Sequence, residues 1–329
     1  MSVDDRQGPT PPGAGPELEP TGSRTPAGTR TSARLLLPAD RWATAGAVTV
    51  VLFALLAVAA PLVTALAGQD PYTYHLTALD GSGFPVGFGG GISSRHWFGV
   101  EPLTGRDLFA VVVTGARTSL AVGLAATVLA VGVGVAVGVT AGFFGGWYDQ
   151  VVSRTVDVLF GFPSLIFMIA LGAIAPAGFP RPVLVVGVIG AFGWPSIARV
   201  IRGQTLALKH RTFVVASTAM GASPWHVLRR QVLPNLAVTI IVYSTILIPQ
   251  MIGLEAALSF LGVGVPPPTP SWGRSIGDAI AWVQTDPMFL VFPGAALFSV
   301  TLAFNLFGDG LADGLDPHAA AAQGRGRSR

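Results

Sequence analysis

The chain has 329 residues, of which 51% are hydrophobic and only 11% are charged. Soluble domains carry about a quarter charged residues, so this composition indicates an integral membrane protein. The net charge of +3 is small and there are no cysteines. Disulfides and cysteine metal sites are therefore excluded, and nothing in the charge favours a nucleic-acid partner. The five histidines are dispersed, so we predict no metal site.

The first segment of the chain lacks the side chains needed for a core. Residues 1–42 are rich in proline, glycine, threonine and arginine, which predicts a disordered tail. The first apolar run, at about residues 43–67, is long enough to cross about 30 Å of hydrocarbon. Its end, Ala65 to Gly68, imitates a signal-peptidase site. The tail is too long and the run too extended for an ordinary signal peptide, so we predict a retained span.

Three further spans follow a polar loop at residues 68–117. We predict them at about residues 118–142, 157–175 and 183–201. In the first of the three, Gly134, Gly138 and Gly142 recur every four residues. This spacing favours close approach of another helix, although loose glycine enrichment is the alternative. Pro163 is expected to kink the middle span.

A polar and cationic segment comes next. For residues 211–235, called the hairpin below, the sequence predicts a short helix, a break at Gly221 and a second helix. Glycine supplies the permissive backbone for the break. Ser223 and Pro224 fit the N-cap and the first position of the second helix.

Two more spans complete the membrane domain. We predict them at about residues 236–257 and 288–307, on either side of a second loop with a stiff proline run. The sequence thus predicts an all-α integral membrane domain of six helices, residues 43–317. A second disordered tail is predicted at residues 318–329.

The basic residues predict an orientation. With the N-terminus inside, the inner segments hold most of the 20 basic residues, and such segments face the cytoplasm. The hairpin and the end of the preceding span are free of acidic residues and carry six cations: Arg199, Arg202, Lys209, Arg211, Arg229 and Arg230. We therefore predict that the hairpin and both termini are cytoplasmic.

Groups that could drive transport are missing from the spans. No acidic residue occurs between Asp157 and Glu255, and both are expected to be solvated at span ends, whereas ion-coupled carriers carry ionisable groups inside the membrane. The one lysine, Lys209, is not part of a phosphate-binding loop. We predict no enzyme and no cofactor bound by this chain. An ion-coupled secondary carrier and a structural membrane scaffold remain the alternatives.

The hairpin resembles the EAA loop of ABC-importer permeases. That pattern has Glu-Ala-Ala, a glycine and a Leu-Pro ending. The positions that correspond to it or flank it are Val215, Ala216, Ser217, Gly221, Ser223, Pro224, Trp225, Leu233 and Pro234. Val215 stands where the family has glutamate, and Ser217 replaces the second alanine. This departure concerns one polar contact of the loop.

Other stretches are similar to the peptide/nickel branch of the same family. They include His96-Trp-Phe-Gly, Gly115-Ala-Arg-Thr-Ser-Leu, Leu258-Ser-Phe-Leu-Gly-Val-Gly and Phe304-Asn-Leu-Phe-Gly-Asp-Gly. Together the resemblance covers roughly residues 43–317. The match is greatest to the second, or C, permease of dipeptide and oligopeptide importers.

The resemblance implies a type I importer architecture in a bacterial cytoplasmic membrane. It implies a second homologous permease, two cytoplasmic ATPases that use ATP and Mg²⁺, an external substrate-binding protein and surrounding lipid as partners. A coupling helix at about residues 216–227 would sit in a cleft of one ATPase. Short peptides are the expected substrate, with nickel chelates, glutathione or opines as alternatives within the family.

Overall fold

The computed structural model describes residues 41–315 except residue 177, so both predicted tails lie almost entirely outside the described residues. Within these ranges the regular structure is helical, and strand pairing is limited to isolated bridges. The helices are α1 (Arg41–Leu66), α2 (Leu108–Phe144), α3 (Gly146–Gly161), α4 (Ser164–Ile174), α5 (Arg181–Leu208), α6 (Thr212–Ala219), α7 (Pro224–Val227), α8 (Leu233–Phe260), α9 (Trp272–Ala279) and α10 (Met288–Leu315).

Five helical runs are long and apolar enough to cross a membrane, counting α7 and α8 as one run, and a sixth span is obtained when α3 and α4 are taken together. The all-helical membrane fold is therefore confirmed. The third span, predicted as one kinked helix at residues 157–175, is instead two helices bent by 86°. Phe162 between them has an extended backbone, because proline at the next position disfavours helical geometry for the residue before it.

The second span begins ten residues before the predicted start at residue 118. Asp107 caps α2 by accepting a hydrogen bond from the backbone nitrogen of Ala110 at 2.8 Å. Arg117, assigned to a loop by its charge, lies inside this helix. At about 1.5 Å rise per residue, the 37 residues of α2 exceed the hydrocarbon thickness of about 30 Å. The first turns of α2 therefore belong to the polar end of the fold.

Helices α2 and α5 are in close contact along the C-terminal half of α2. A Cβ atom at Gly138 would lie 2.6 Å from the carbonyl oxygen of Ala198, and one at Gly142 would lie 2.8 Å from that of Arg202. Gly134 faces Ile197 and the carbonyl of Trp194. The three glycines thus lie where the backbone of α5 comes too close for a side chain.

The two long loops meet at one end of the helices, called the loop end below. Arg106 pairs with Glu101 (Nε to Oε2, 2.7 Å) and donates from Nη1 to the carbonyl oxygen of Pro268 at 2.9 Å. Burial raises the pKa of Glu101, although the charge and hydrogen bonds of Arg106 oppose the shift. Phe84 and Trp282 add an edge-to-face ring contact with centroids 5.1 Å apart. The loop end is therefore an ordered layer.

Asp286 also joins the two loops. Its side chain is buried and lies against Gly90 of the first loop. Burial raises the pKa of its carboxyl group more than the nearby backbone N–H groups of Phe289 and Met288 lower it. Neither carboxylate oxygen completes a hydrogen bond with a described residue. At neutral pH, ionisation of Asp286 therefore destabilises the folded loops.

This burial predicts a pH dependence of stability. Because the folded pKa is raised, the contribution of Asp286 is fully favourable below the unfolded pKa of about 3.9 and is lost as the pH rises through the folded value. Asp286→Asn, which cannot ionise, should gain thermal stability relative to the native protein as the pH rises from about 4 to 7. Thermal midpoints of both proteins across this range measure the effect, and a difference independent of pH would contradict it.

Candidate functional site

The hairpin is attached to the membrane helices by a buried apolar cluster. Val214, Val227 and Val232 are at most 4% exposed. They pack with Val139 of α2 and Ile201 of α5 in one hydrophobic cluster. Burial of each valine contributes roughly 1.5 kcal/mol or more. The hairpin therefore lies directly against the ends of α2 and α5, which form the hairpin end of the fold.

A glycine turn divides the hairpin into two helices. Gly221 has a φ of +85°, a conformation that strains any residue with a side chain. Ser223 caps α7 by accepting a hydrogen bond from the backbone nitrogen of His226 at 3.3 Å, and Pro224 is the first residue of that helix. The helix, the break at Gly221 and the second helix predicted for the hairpin are thus present as α6, a turn and α7. The coupling helix implied at residues 216–227 is divided at Gly221, because a positive φ cannot continue an α-helix.

The second limb of the hairpin continues into the membrane without a break. Helix α7 is followed by a π-helical turn, Leu228–Val232, and then by α8. Leu233 is the first residue of α8 and Pro234 the second, and the π-helical turn lies directly before them, where the missing N–H of proline leaves a helical hydrogen bond unmade. One helical run therefore joins the turn at Gly221 to the opposite, loop end of the fold. Helix α7 is thus connected to the spans without an intervening loop.

Large apolar side chains are exposed on the hairpin, among polar and basic ones. Val215 and Trp225 are 55% and 52% exposed, and Phe213 and Met220 are also exposed. Ala216, Gly221, Ser223, Pro224 and Pro234 share this exposure. Ser217 is buried at 6% exposure and Leu233 is half-buried. Of the candidate residues, these two support the hairpin from within, whereas the others are accessible.

Two members of this surface were missed in the sequence. Phe213 and Met220 do not belong to the family pattern, although large apolar residues in a cationic, water-facing segment were a usable signal. Arg229 lies over the ring of Trp225, with its guanidinium carbon 5.2 Å from the ring centroid. This cation–π contact fixes the indole on the outer side of α7. We call Phe213, Val215, Met220 and Trp225 the apolar face.

Three basic residues predicted to be part of the cationic segment are engaged elsewhere. Arg202 forms a bidentate ion pair with Asp149 of α3, and Arg199 pairs with Asp157 (Nη2 to Oδ1, 2.7 Å). Lys209 donates to the carbonyl oxygen of Gly142 at 3.2 Å, near the end of α2, where the helix dipole favours a cation. These contacts hold α3 and α2 to α5. They leave Arg211, Arg229 and Arg230 as the cations of the hairpin itself.

No cluster of three or more metal-ligating side chains occurs in the part of the chain that the structure describes. The five or six apolar helical runs define a multi-pass membrane protein. The hairpin adds exposed apolar side chains, a cation–π pair and a helical connection to α8.

Comparison with known proteins identifies the family. The family described as "Binding-protein-dependent transport system inner membrane component" matches residues 134–320, which include the hairpin and the three glycines of α2. The chain belongs to this family and is a permease subunit of an ABC importer. The resemblance to the peptide/nickel importer permeases is thereby confirmed, and the ion-coupled carrier and the scaffold are rejected.

Curated relatives support the same assignment. The chain is 44% identical to the glutathione transport system permease protein GsiD of Escherichia coli O6:K15:H31 over 227 residues, which are 69% of this chain and 74% of the relative. It is 46% identical, with the same coverage, to the protein of that name from Shigella flexneri serotype 5b. Membership of a binding-protein-dependent family places the protein in the inner membrane and implies an ABC ATPase and a substrate-binding protein as partners.

Proposed function

We propose that this permease subunit forms half of a translocation path for short peptides and receives the energy of ATP hydrolysis through the hairpin. The observation that carries the proposal is the apolar face, which is exposed on a segment fused to α8 through one helical run. An exposed apolar patch on an otherwise cationic segment fits a protein partner. The other half of the path would come from a second homologous permease.

The proposed orientation places the hairpin end and both termini in the cytoplasm. The remaining hairpin cations, Arg211, Arg229 and Arg230, support it. The loop end, with its ordered layer around Arg106 and Glu101, then faces the substrate-binding protein outside.

Two cytoplasmic ATPases would bind ATP and Mg²⁺, and this chain would bind neither. In the proposed cycle, closure of the ATPases on ATP displaces α6 and α7. Because α7 continues into α8 and packs on α2 and α5, the displacement reaches the spans as movement of whole helices. The helices then open toward the binding protein, and hydrolysis restores the inward-facing state. The apolar face is therefore a contact surface for one ATPase.

The proposed substrate class is short peptides, and the names of the relatives make glutathione, itself a tripeptide, the second candidate. Uptake of labelled dipeptides, tripeptides, glutathione and a nickel chelate by a deletion strain carrying the native gene distinguishes them. Uptake of the dipeptides and tripeptides supports the first proposal. Uptake restricted to glutathione or to the nickel chelate would overturn the peptide assignment.

The coupling proposal predicts the effect of a change at the turn. Gly221→Pro should abolish uptake, because proline fixes φ near −65° where the structure has +85°. Gly221→Asn is the matched control, since asparagine tolerates the left-handed conformation, and should retain most uptake. Transport-linked ATP hydrolysis by the reconstituted complex should fall with Gly221→Pro while membrane insertion persists. Normal uptake by a fully inserted Gly221→Pro variant would refute the coupling role.

A further inference from the structure

Arg117 lies on the lipid-facing side of α2. It follows the start of α2 by nine residues, which is about 13.5 Å along the helix axis. It shares a helical face with Ala121, Leu124 and Val128, all of which are exposed. The guanidinium of Arg117 makes no hydrogen bond or ion pair with any residue in the described ranges. A guanidinium on such a face is costly unless an anion meets it.

Two cavities open on either side of Arg117. The one nearer the loop end, of about 400 Å³, has a mixed lining in which the polar side chains include Gln69, Asp70 and Thr114. The other, of about 330 Å³, is almost entirely apolar and runs between α1, α2 and α10, with Ala57, Leu120 and Phe304 in its lining. Arg117 is part of both linings. Together the cavities form one groove, with the polar side chains on the loop-end side of the guanidinium and the apolar cavity on its other side.

The groove opens sideways. Val58 of α1 and Leu124 of α2, which both line the apolar cavity, are 80% and 41% exposed. In a membrane protein, exposed aliphatic residues of this kind face acyl chains. A lipid therefore reaches the groove from the bilayer, without passing through the helices.

The charges of the polar part follow a definite order. Asp70 accepts a hydrogen bond from the hydroxyl of Thr73 at Oδ2 (2.9 Å), and its Oδ1 has no partner among the described residues. The carboxylate is beyond the end of α1 and on the loop side of Arg117. A cation thus lies next to the apolar cavity, and an anion lies farther out. This order is complementary to a phosphate followed by an ammonium group.

We propose that the groove binds one phospholipid with a phosphoethanolamine headgroup. Its phosphate contacts Arg117, its ammonium contacts Asp70, and one acyl chain fills the apolar cavity. A guanidinium is suited to phosphate because its donors match the phosphate oxygens. The proposed orientation places the bound lipid in the extracytoplasmic leaflet. The selectivity for the headgroup does not depend on that orientation. Failure of the lipid proposal is therefore distinguishable from failure of the coupling proposal.

The test uses the complete transporter, purified in mild detergent, stripped of lipid and incubated with equal amounts of phosphatidylethanolamine, phosphatidylglycerol and phosphatidylcholine. Native mass spectrometry should show phosphatidylethanolamine as the retained species. Arg117→Gln should reduce its binding about tenfold, which is the loss expected for one charge-assisted hydrogen bond. Arg117→Lys, which keeps the charge, should retain more of it.

The second variant tests the ammonium contact. Asp70→Asn should keep lipid binding and lose the preference for phosphatidylethanolamine over phosphatidylglycerol. Arg274→Gln, at an arginine of the loop end that pairs with Asp278 outside the groove, is the matched control and should bind as the native protein does. Equal retention of all three lipids by the native protein, no effect of Arg117→Gln, or full displacement of the lipid by inorganic phosphate would each overturn the proposal. Absence of bound lipid in the intact complex would show that a partner subunit covers the groove.

Discussion

Glu255→Ala is expected to destabilise the permease by about 3 kcal/mol and to reduce uptake strongly, because several buried hydroxyl groups would lose their acceptor. Glu255 is fully buried in α8. Its Oε1 accepts hydrogen bonds from the hydroxyl groups of Ser259 at 2.7 Å and Ser271 at 3.0 Å. Its Oε2 completes no hydrogen bond with a described residue.

The hydroxyl groups around Glu255 hold further backbone groups in turn. Ser259 accepts from the backbone nitrogen of Val265 at 3.1 Å, and Ser119 accepts from that of Trp272 at 3.3 Å. The indole nitrogen of Trp272 donates to the carbonyl oxygen of Val112 at 2.9 Å. The carboxylate is thus the centre of a network that fixes α9 and its preceding loop to α2 and α8. Removing it leaves the hydroxyl groups of Ser259 and Ser271 without their shared acceptor.

Thermal unfolding of the purified complex measures the effect. A loss of about 3 kcal/mol corresponds to a fall of roughly 6 °C or more in the midpoint for a domain of this size. Glu255→Gln is the control, since it keeps one acceptor oxygen in nearly the same volume, and it should lose less stability than the alanine variant. A midpoint for Glu255→Ala equal to that of the native protein would show that the network contributes nothing.

The burial of Glu255 was the largest error in the sequence interpretation. Hydropathy places the end of the span near residue 257, and an acidic residue at a span end is expected to be solvated. The structure extends α8 to Phe260 and covers this end with α9. The covering helix comes from residues 272–279, whose charge and short length gave no sign of a helix packed onto the spans. Tertiary packing decides such burial, and local sequence carries little information about it.

Helix boundaries differ for a related reason. The predicted start of the second span came directly after Arg117, yet Asp107 caps the helix well ahead of that residue. An arginine lowers the local hydropathy without ending the helix, because its long side chain can extend to polar surroundings. The sequence predicted a kink at Pro163, but the 86° angle between α3 and α4 depends on how α4 packs against α5. Sequence locates such a break and does not set its angle.

The hairpin shows what local sequence does contain. Ser223 and Pro224 begin a helix by their own chemistry, and Gly221 has the positive φ that the break requires. The exposure of Met220 and the burial of Ser217 follow from the packing of the hairpin on α2 and α5. Part of that packing surface, Val139 of α2, lies more than sixty positions earlier in the chain, so no local pattern specifies it.

The second large effect is expected where α2 meets α5. Gly138→Leu should disrupt assembly of the permease, because even a Cβ atom at this position would lie 2.6 Å from the carbonyl oxygen of Ala198 and 3.1 Å from its Cα. Both are backbone atoms, so relief requires displacement of α5 itself. Overpacking of this kind costs about 1–3 kcal/mol for extra methylenes alone and more where backbone must separate. We therefore expect a low yield of inserted protein and little uptake.

Gly132→Leu is the matched control for this change. It adds the same side chain to the same helix, six residues earlier, at a position where no heavy atom lies within 4 Å of the added Cβ. Its exposed site opens on a cavity of about 420 Å³ that has room for the side chain, so yield, thermal midpoint and uptake should stay near the native values. Equal behaviour of the two variants would mean that the leucine side chain itself, and not the contact with α5, decides the outcome.

The α2–α5 contact also determines where the hairpin lies. Helix α5 leads into α6, and Val139 and Ile201 from the two helices form part of the cluster that holds the hairpin. A variant that separates α2 from α5 without preventing insertion, such as Gly138→Ala, should therefore move the hairpin relative to the ATPase. In the reconstituted complex, we expect ATP hydrolysis to respond less to the loaded binding protein, while Gly132→Ala keeps the native response. An unchanged response in inserted Gly138→Ala protein would place the control of hairpin position in α8 alone.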